Sequence, residues 1–355
     1  MSQVLRVGVV NDLPIALEAI RRVVLSDPGN RVAWTATDGA QAISLCREDR
    51  PDVVLMDMVM PALDGVEATR RIMAATPCPI LVVTASVADN AGRVYEALGA
   101  GAVDAVPTPV IGPQGELVGG ADLLRKLRKV AALAASEGPL PTRPAAPGPP
   151  LHSDGAVIAI GASTGGPKAL ASLLARLRRP VTVPILVVQH LASDYVPGLA
   201  NWLSEASGLP ARLVNGPSIL SAGTIHLPAD ERHLACDGGR SVTVRDEPTD
   251  VLHRPSIDVL FHSLAGLRRP GVAVLLTGMG RDGADGLLAL RRAGWWTIAQ
   301  DQASSVVWGM PGEAVRLGAA CEMVGIEDVP WAIGRALARV GERDGRAAGA
   351  AGGAA

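Results

Sequence analysis

Short apolar runs recur along this chain, each closed by a polar residue and most followed by a helical period. LRVGVV (5–10), DVVLMD (52–57) and PILVVTAS (79–86) read as buried strands, with VAWTA (32–36) and VDAVPTPV (103–110) as two more. Leu13, Leu17, Ile20 and Val24 recur at helical spacing after the first, and a second helix is predicted over 38–48. Leu123, Leu127, Val130 and Ala134 line one face of a closing helix. Five strands each followed by a helix imply a parallel sheet with helices on both faces.

The rhythm stops at EGPLPTRPAAPGPPLHSDG (137–155), a proline-rich stretch with no apolar period, which reads as a semi-extended linker. It resumes at AVIAIGAS (156–163), VPILVVQH (183–190), VAVLLTGMG (272–280) and WWTIAQD (295–301). Between these, TIHLPADERHLACDGGRSVTVRD (224–246) is predicted as short strands and hairpins, with turn chemistry at Asp237-Gly238-Gly239. The domains predicted are 1–136 and 155–341, joined by the linker 137–154. A low-complexity tail, 342–355, is expected to be disordered.

Of 355 residues, 48% are hydrophobic and 19% charged, a globular composition with room for two cores. The formal charge of −2 favours neither nucleic acid nor an anionic membrane. Cys46, Cys78, Cys236 and Cys321 show no paired spacing and read as reduced core thiols. MSQVLRVGVVND lacks the layout of a signal peptide, and no apolar stretch reaches the roughly 18 residues of a membrane span. A cytoplasmic protein without membrane insertion is expected.

In an open parallel sheet, ligands bind beyond the carboxyl ends of the strands. Ser163, His190 and Asp282 each follow an apolar run, so all three are expected along one edge of one sheet. Gly161-Ala162-Ser163-Thr164-Gly165 fits the G-x-S-x-G turn that presents a serine hydroxyl at the start of a helix, where amide donors await an oxyanion. A free hydroxyl is a weak nucleophile. His190 would take its proton, and Asp282 would fix the imidazole and stabilise its charged form. This chemistry needs no metal. A dinucleotide site competes for the same glycine-rich turn, but Gln189-His190 stands where that fingerprint expects an acid. Taken singly, the three residues are better read as a helix cap (Ser163), a core histidine (His190) and a turn residue (Asp282); it is the three together at strand ends that favour chemistry.

IGASTGGPKAL, VVQH, HRPSIDVLF (253–261), LLTGMGRDGADGL and AQDQASSVVWGMP, in this order, closely resemble the catalytic domain of the chemotaxis protein-glutamate methylesterase/glutamine deamidase (CheB) family. The resemblance implies a doubly wound parallel α/β esterase domain. It implies Ser163 as nucleophile, His190 as general base, Asp282 as its partner and the amides of Thr164 and Met279 as oxyanion donors. The family reaction is hydrolysis of glutamyl methyl esters on methyl-accepting chemoreceptors through an acyl-serine, with glutamine deamidation in some members. His253-Arg254-Pro255-Ser256 reads both as a cleft wall and as a helix start capped by Ser256.

Asp57 ends one strand of the first domain, Asn11-Asp12 another and Thr84 a third, all on one edge. Two adjacent carboxylates suit a magnesium ion. With VLMDMVMPALDGVEATRRI, residues 4–136 resemble a two-component receiver. That resemblance implies a flavodoxin-like (βα)5 fold and phosphorylation of Asp57 by a CheA-type histidine kinase. It also implies Mg2+ on Asp12, Asp57 and the Val59 carbonyl, with Thr84 as the switch hydroxyl. Two positions depart from the pattern. Asn11 replaces one of two acids, and Thr108 stands where a lysine usually precedes the proline after the fifth strand. A hydroxyl cannot pair with a phosphoryl group as an ammonium does, so Asp57 is expected to accept phosphate with altered output. NDLPIALEAI with Thr108 resembles the surface-sensing (Wsp-type) branch. The resemblance further implies a receiver that restricts the esterase cleft until phosphorylated. The rival reading is a non-catalytic, receiver-linked docking module.

Overall fold

The computed structural model describes residues 4–85, 87–134, 155–238, 240–267 and 271–351, in two units divided near residue 138. In the first, β1 (Leu5–Val10), β2 (Asn30–Ala36), β3 (Val53–Asp57), β4 (Ile80–Thr84) and β5 (Asp104–Pro107) form one sheet. All its pairings are parallel, in the order β2-β1-β3-β4-β5. The helices are α1 (Pro14–Leu25), α2 (Gly39–Glu48), α3 (Gly65–Ala75), α4 (Val87–Ala100) and α5 (Gly120–Ala134). Asp38 and Asp64 start α2 and α3 by accepting the backbone N–H three residues on. Leu123, Leu127 and Val130 of α5 pack at zero exposure against Val7, Leu55 and Leu81. Each such side chain contributes about 2 kcal/mol.

Two expectations need correction here. Leu13 is not on the buried face of α1. It is the N-cap residue and exposed, because Pro14 begins the helix. The fifth strand stops at Pro107 rather than continuing to 110, since prolines 107 and 109 cannot donate to a ladder. A small antiparallel hairpin, β6 (Val110–Ile111) and β7 (Leu117–Val118), precedes α5 instead.

The second unit opens with β8 (Val157–Ala162), α6 (Gly166–Ala175), β9 (Ile185–Gln189), α7 (Val196–Ser207), β10 (Ala211–Val214) and β11 (Ser218–Ile219). It continues with β12 (Ile225–Pro228), β13 (His233–Cys236), β14 (Ser241–Arg245), α8 (Ile257–Ala265), β15 (Gly271–Leu275) and α9 (Ala284–Arg292). It closes with β16 (Trp296–Gln300), α10 (Met310–Arg316), β17 (Glu322–Val324) and α11 (Val329–Ala351). Seven strands make a parallel sheet in the order β10-β12-β9-β8-β15-β16-β17. A three-stranded antiparallel sheet, β11-β14-β13, stands apart from it.

Of the short strands and hairpins expected over 224–246, β13 and β14 form a hairpin, but β12 does not belong to it. All four residues of β12 are buried, so it joins the parallel sheet between β9 and β10. The tail expected to be disordered from 342 is helical as far as Ala351, in keeping with the helix propensity of its alanines. Cys46, Cys78 and Cys236 are buried, whereas Cys321 is exposed at the start of the edge strand β17. The proline-rich linker lies outside the described residues. No helix among the described residues is long and apolar enough to cross a membrane.

Candidate active site

Ser163 follows β8, His190 follows β9 and Asp282 follows β15, three neighbouring strands with β8 in the middle. Their common edge is the carboxyl edge the sequence predicts. Ser163 is buried at the turn into α6. Its N–H donates to the Thr277 carbonyl at 3.0 Å, and its carbonyl accepts the Gly166 N–H at 2.8 Å. Gln189, the last residue of β9, adds an Nε2 donation to the same carbonyl at 2.9 Å. Gly165 sits at φ 76°, where a side chain would be strained and would also meet Val306. The Ser163 backbone is thus held by two strands and one helix start.

His190 Nε2 lies 2.7 Å from Asp282 Oδ2. The other ring nitrogen, Nδ1, is buried and has no hydrogen-bond partner among the described residues. Nδ1 is therefore the ring nitrogen left open to a further hydrogen bond. Asp282 also accepts the Ser256 hydroxyl at 2.7 Å and the N–H groups of Ile257 at 2.7 Å and Asp258 at 3.1 Å. Burial would raise its pKa. The His190 ring, the Ile257 N–H and the Ser256 hydroxyl outweigh that and hold the carboxyl well below its usual range. Asp282 is an ionised acceptor seated on the N-terminus of α8, where the helix dipole favours a negative charge.

The N–H groups of Thr164 and Met279 donate to no protein group among the described residues. A Cβ on Gly278 would lie 2.7 Å from Ser163 Cβ and 2.4 Å from Met310 Sδ, so the Met279 loop passes close to Ser163. Of the two roles predicted for the 253–256 stretch, Ser256 takes the helix cap. It caps α8 by accepting the Val259 N–H, and its hydroxyl orients Asp282. His253 stacks on His190 with ring centroids 4.3 Å apart and planes 19° apart.

Sequence reasoning missed the bracing residues. Thr277 Oγ1 donates to the Thr164 carbonyl at 3.0 Å and accepts the Val307 N–H at 2.9 Å. Gln300 Oε1 accepts the Thr277 N–H at 2.8 Å, and the Gln300 carbonyl accepts the Trp308 indole at 3.0 Å. The polar ends of VVQH, LLTG and AQD were the only signal available.

In the first unit, Asn11 and Asp12 follow β1 and Asp57 ends β3, adjacent strands at the point where the sheet order reverses. Asn11 Oδ1 accepts the Leu13 N–H, which turns Nδ2 to donate to Asp57 Oδ2 at 2.9 Å. Asp57 Oδ1 accepts the Met58 N–H at 2.7 Å. Burial pushes the Asp57 pKa up to about 6 against the N–H groups of Met58 and Val59, and the Asp12 charge adds to the rise. Gly65 allows close approach here, since a Cβ on it would meet the Asp57 carbonyl oxygen at 1.9 Å. Thr84 ends β4, and the Thr108 N–H donates to its carbonyl at 3.0 Å. Thr108 Oγ1 is buried with no hydrogen-bond partner among the described residues. Lys126 pairs with Asp104 Oδ1 at 2.8 Å, at the opposite end of β5, so it does not replace the missing lysine.

Residues 158–333 match the family described as CheB methylesterase, and residues 7–117 match the response regulator receiver domain. The chain is 45% identical over 326 residues to a protein-glutamate methylesterase/protein-glutamine glutaminase of Burkholderia thailandensis, covering 92% of this chain and 95% of that protein. It is 44% identical over 329 residues to one from Pseudomonas aeruginosa, covering 92% and 97%. The crystal structure of the Thermotoga maritima CheB methylesterase catalytic domain is 27% identical, with a TM-score of 0.49, over 51% of this chain and 98% of that one.

Proposed function

The chain belongs to the CheB family of receiver-linked methylesterases, and from that premise we propose that Ser163, His190 and Asp282 hydrolyse glutamyl methyl esters on a methyl-accepting chemoreceptor. The observation that carries this reading is the 2.7 Å pairing of His190 Nε2 with an Asp282 carboxylate held ionised at the start of α8. Ser163 Oγ attacks the ester carbonyl carbon as His190 Nδ1 takes its proton. The oxyanion that forms accepts the N–H groups of Thr164 and Met279. Collapse breaks the bond to the methoxy oxygen, which leaves as methanol with the proton from His190. Water then enters, gives a proton to His190 and adds to the acyl-serine carbonyl. The free glutamate departs as Ser163 recovers its proton. A receptor glutamine would follow the same path with ammonia as the leaving group.

Regulation follows from the receiver, which takes its phosphoryl group on Asp57 from a CheA-type histidine kinase in the cytoplasm. The donor set fits a hard divalent ion. Asp12 and Asp57 share a pocket in which no lysine or arginine pairs with either among the described residues, and burial raises the Asp57 pKa, with the Asp12 charge adding to it. Asp12, Asp57 and the Val59 carbonyl would hold Mg2+, which when bound offsets the charge of an incoming phosphoryl group. Thr84 and Thr108 are the hydroxyls beside that group. The surface-sensing branch remains the reading of Thr108 and NDLPIALEAI.

The test is methanol release from a methylated receptor preparation, with acetyl phosphate and Mg2+ present or absent, for wild type and Ser163→Ala. Release that requires Ser163 and rises with phosphodonor is expected. Release that persists in Ser163→Ala would overturn the assignment of the nucleophile. No release from wild type would favour the docking module.

A further inference from the structure

Helices α8 and α9 cap one another with carboxylates. Asp282 lies just before α9 and accepts the N–H groups of Ile257 and Asp258, the first two residues of α8. Asp258 in turn accepts the Gly286 N–H, in the first turn of α9, at 2.6 Å. Asp258 therefore gives its N–H to Asp282 and its carboxylate to the helix that follows Asp282. The two helices touch at this point. A Cβ on Gly286 would lie 2.7 Å from Phe261 Cβ and 3.0 Å from Asp258 Oδ1.

We propose that Asp258 is a positioning residue for the esterase reaction, fixing the start of α9 and with it the aim of Asp282 at His190. The inference rests on the assignment of Ser163, His190 and Asp282 as the reacting groups. A first-turn acid normally stays in solvent and interacts with its own helix. This one is largely buried and spends its carboxylate on another helix.

Charge makes the arrangement responsive to pH. Burial pushes the Asp258 pKa up to about 7, with the Gly286 and Gly283 N–H groups opposing and the charges of Asp282 and Asp285 adding. The groups facing it are few. From α9 and the loop before it come Asp282 and Asp285, the latter paired with Arg281 at 2.7 Å. From the end of β9 comes His190, reached through Asp282. From β13 comes His233, whose Nδ1 accepts the Ser256 N–H at 3.0 Å. β8 carries no charged residue. An ionised Asp258 thus adds negative potential behind Asp282.

The experiment uses the full chain as wild type, Asp258→Asn and Asp258→Ala, with Ser163→Ala as the blank. One readout needs no substrate: the downfield proton resonance of His190 Nε2–H against Asp282. The other is the pH profile of methanol release per folded molecule, with folding checked by circular dichroism. In Asp258→Ala the resonance should shift or broaden and kcat should fall about tenfold or more with KM unchanged, the scale of a small misplacement of a reacting group. Asp258→Asn keeps an acceptor for Gly286, so it should retain most of kcat. It should also remove from the pH profile the inflection near pH 7 that Asp258 contributes in wild type. An unshifted resonance with superposable pH profiles would overturn the proposal. If Asp258→Ala fails to fold, Asp258→Asn decides by the same two readouts. If wild type releases no methanol, the esterase reading fails, and the resonance alone decides whether Asp258 aims Asp282.

Discussion

His190 meets Asp282 through Nε2, at 2.7 Å from Oδ2, and Nδ1 is the ring nitrogen left without a partner among the described residues. Asp282→Asn should therefore lower kcat by about 10⁴-fold with little change in KM. An amide cannot stabilise the imidazolium and favours the wrong tautomer. Steady-state methanol release decides it. A loss under tenfold would mean that Asp282 only caps α8.

Gly278→Ala should abolish most activity while leaving the fold intact. The added methyl would lie 2.4 Å from Met310 Sδ and 2.7 Å from Ser163 Cβ. The methionine can yield, but the serine sits on a braced turn, so the Met279 loop must move away. Losing one oxyanion donor costs roughly 10²–10³-fold in kcat. Full activity with a normal melting temperature would show that the loop gives way without disturbing the site.

Thr108→Lys should restore a cation beside Asp57. Thr108 follows β5 next to Thr84, its hydroxyl without a hydrogen-bond partner among the described residues, while Lys126 is committed to Asp104 at the far end of the strand. One charge-assisted hydrogen bond to a phosphoryl group should raise phosphorylation rate or esterase activation about tenfold. Unchanged rate, phosphoryl lifetime and activation would show that Thr108 has no part in the output.

Asp258 and Asp282 should pull the stability of the second unit in opposite directions with pH. The folded-state pKa of Asp258 is raised, from an ordinary 3.8 to about 7. The folded unit therefore binds that proton more tightly, and its stabilising contribution, full below about pH 4, is lost as pH rises towards 7. Asp282 is depressed, so its contribution is present above about pH 4 and lost in stronger acid. Asp258→Asn should therefore gain stability relative to wild type between about pH 5 and about pH 8, measured by urea midpoints. A constant difference across that range would contradict the raised pKa.

The sites were legible where a polar residue closes an apolar run. Asp57 ends β3, Ser163 and His190 follow β8 and β9 directly, and a parallel sheet leaves such residues only one edge to occupy. Asp282 was harder to place from strand position alone, because it lies beyond Leu275 on a loop turned by Gly280 and Gly283, both at φ 88°. Asp258 was invisible as a positioning group, since its spacing reads as an ordinary helix-start acid. Gln189, Thr277 and Gln300 act through bonds between segments far apart in sequence, which no local period records. β10 and β17 are short and partly exposed, and β12 sits in a region rich in hairpin signals, so each lacked the run that marks a buried strand.

The strand order has a consequence for synthesis. β8 carries Ser163, but its second neighbour in the sheet is β15, more than a hundred residues further along the chain. A ribosome would release the first unit complete, its sheet closed by residue 107, long before Leu276 can donate to Gly161 and Thr277 can accept from Ser163. The serine is made early and armed late. A nascent chain carrying Ser163 therefore has its receiver folded before it has a working hydrolytic site.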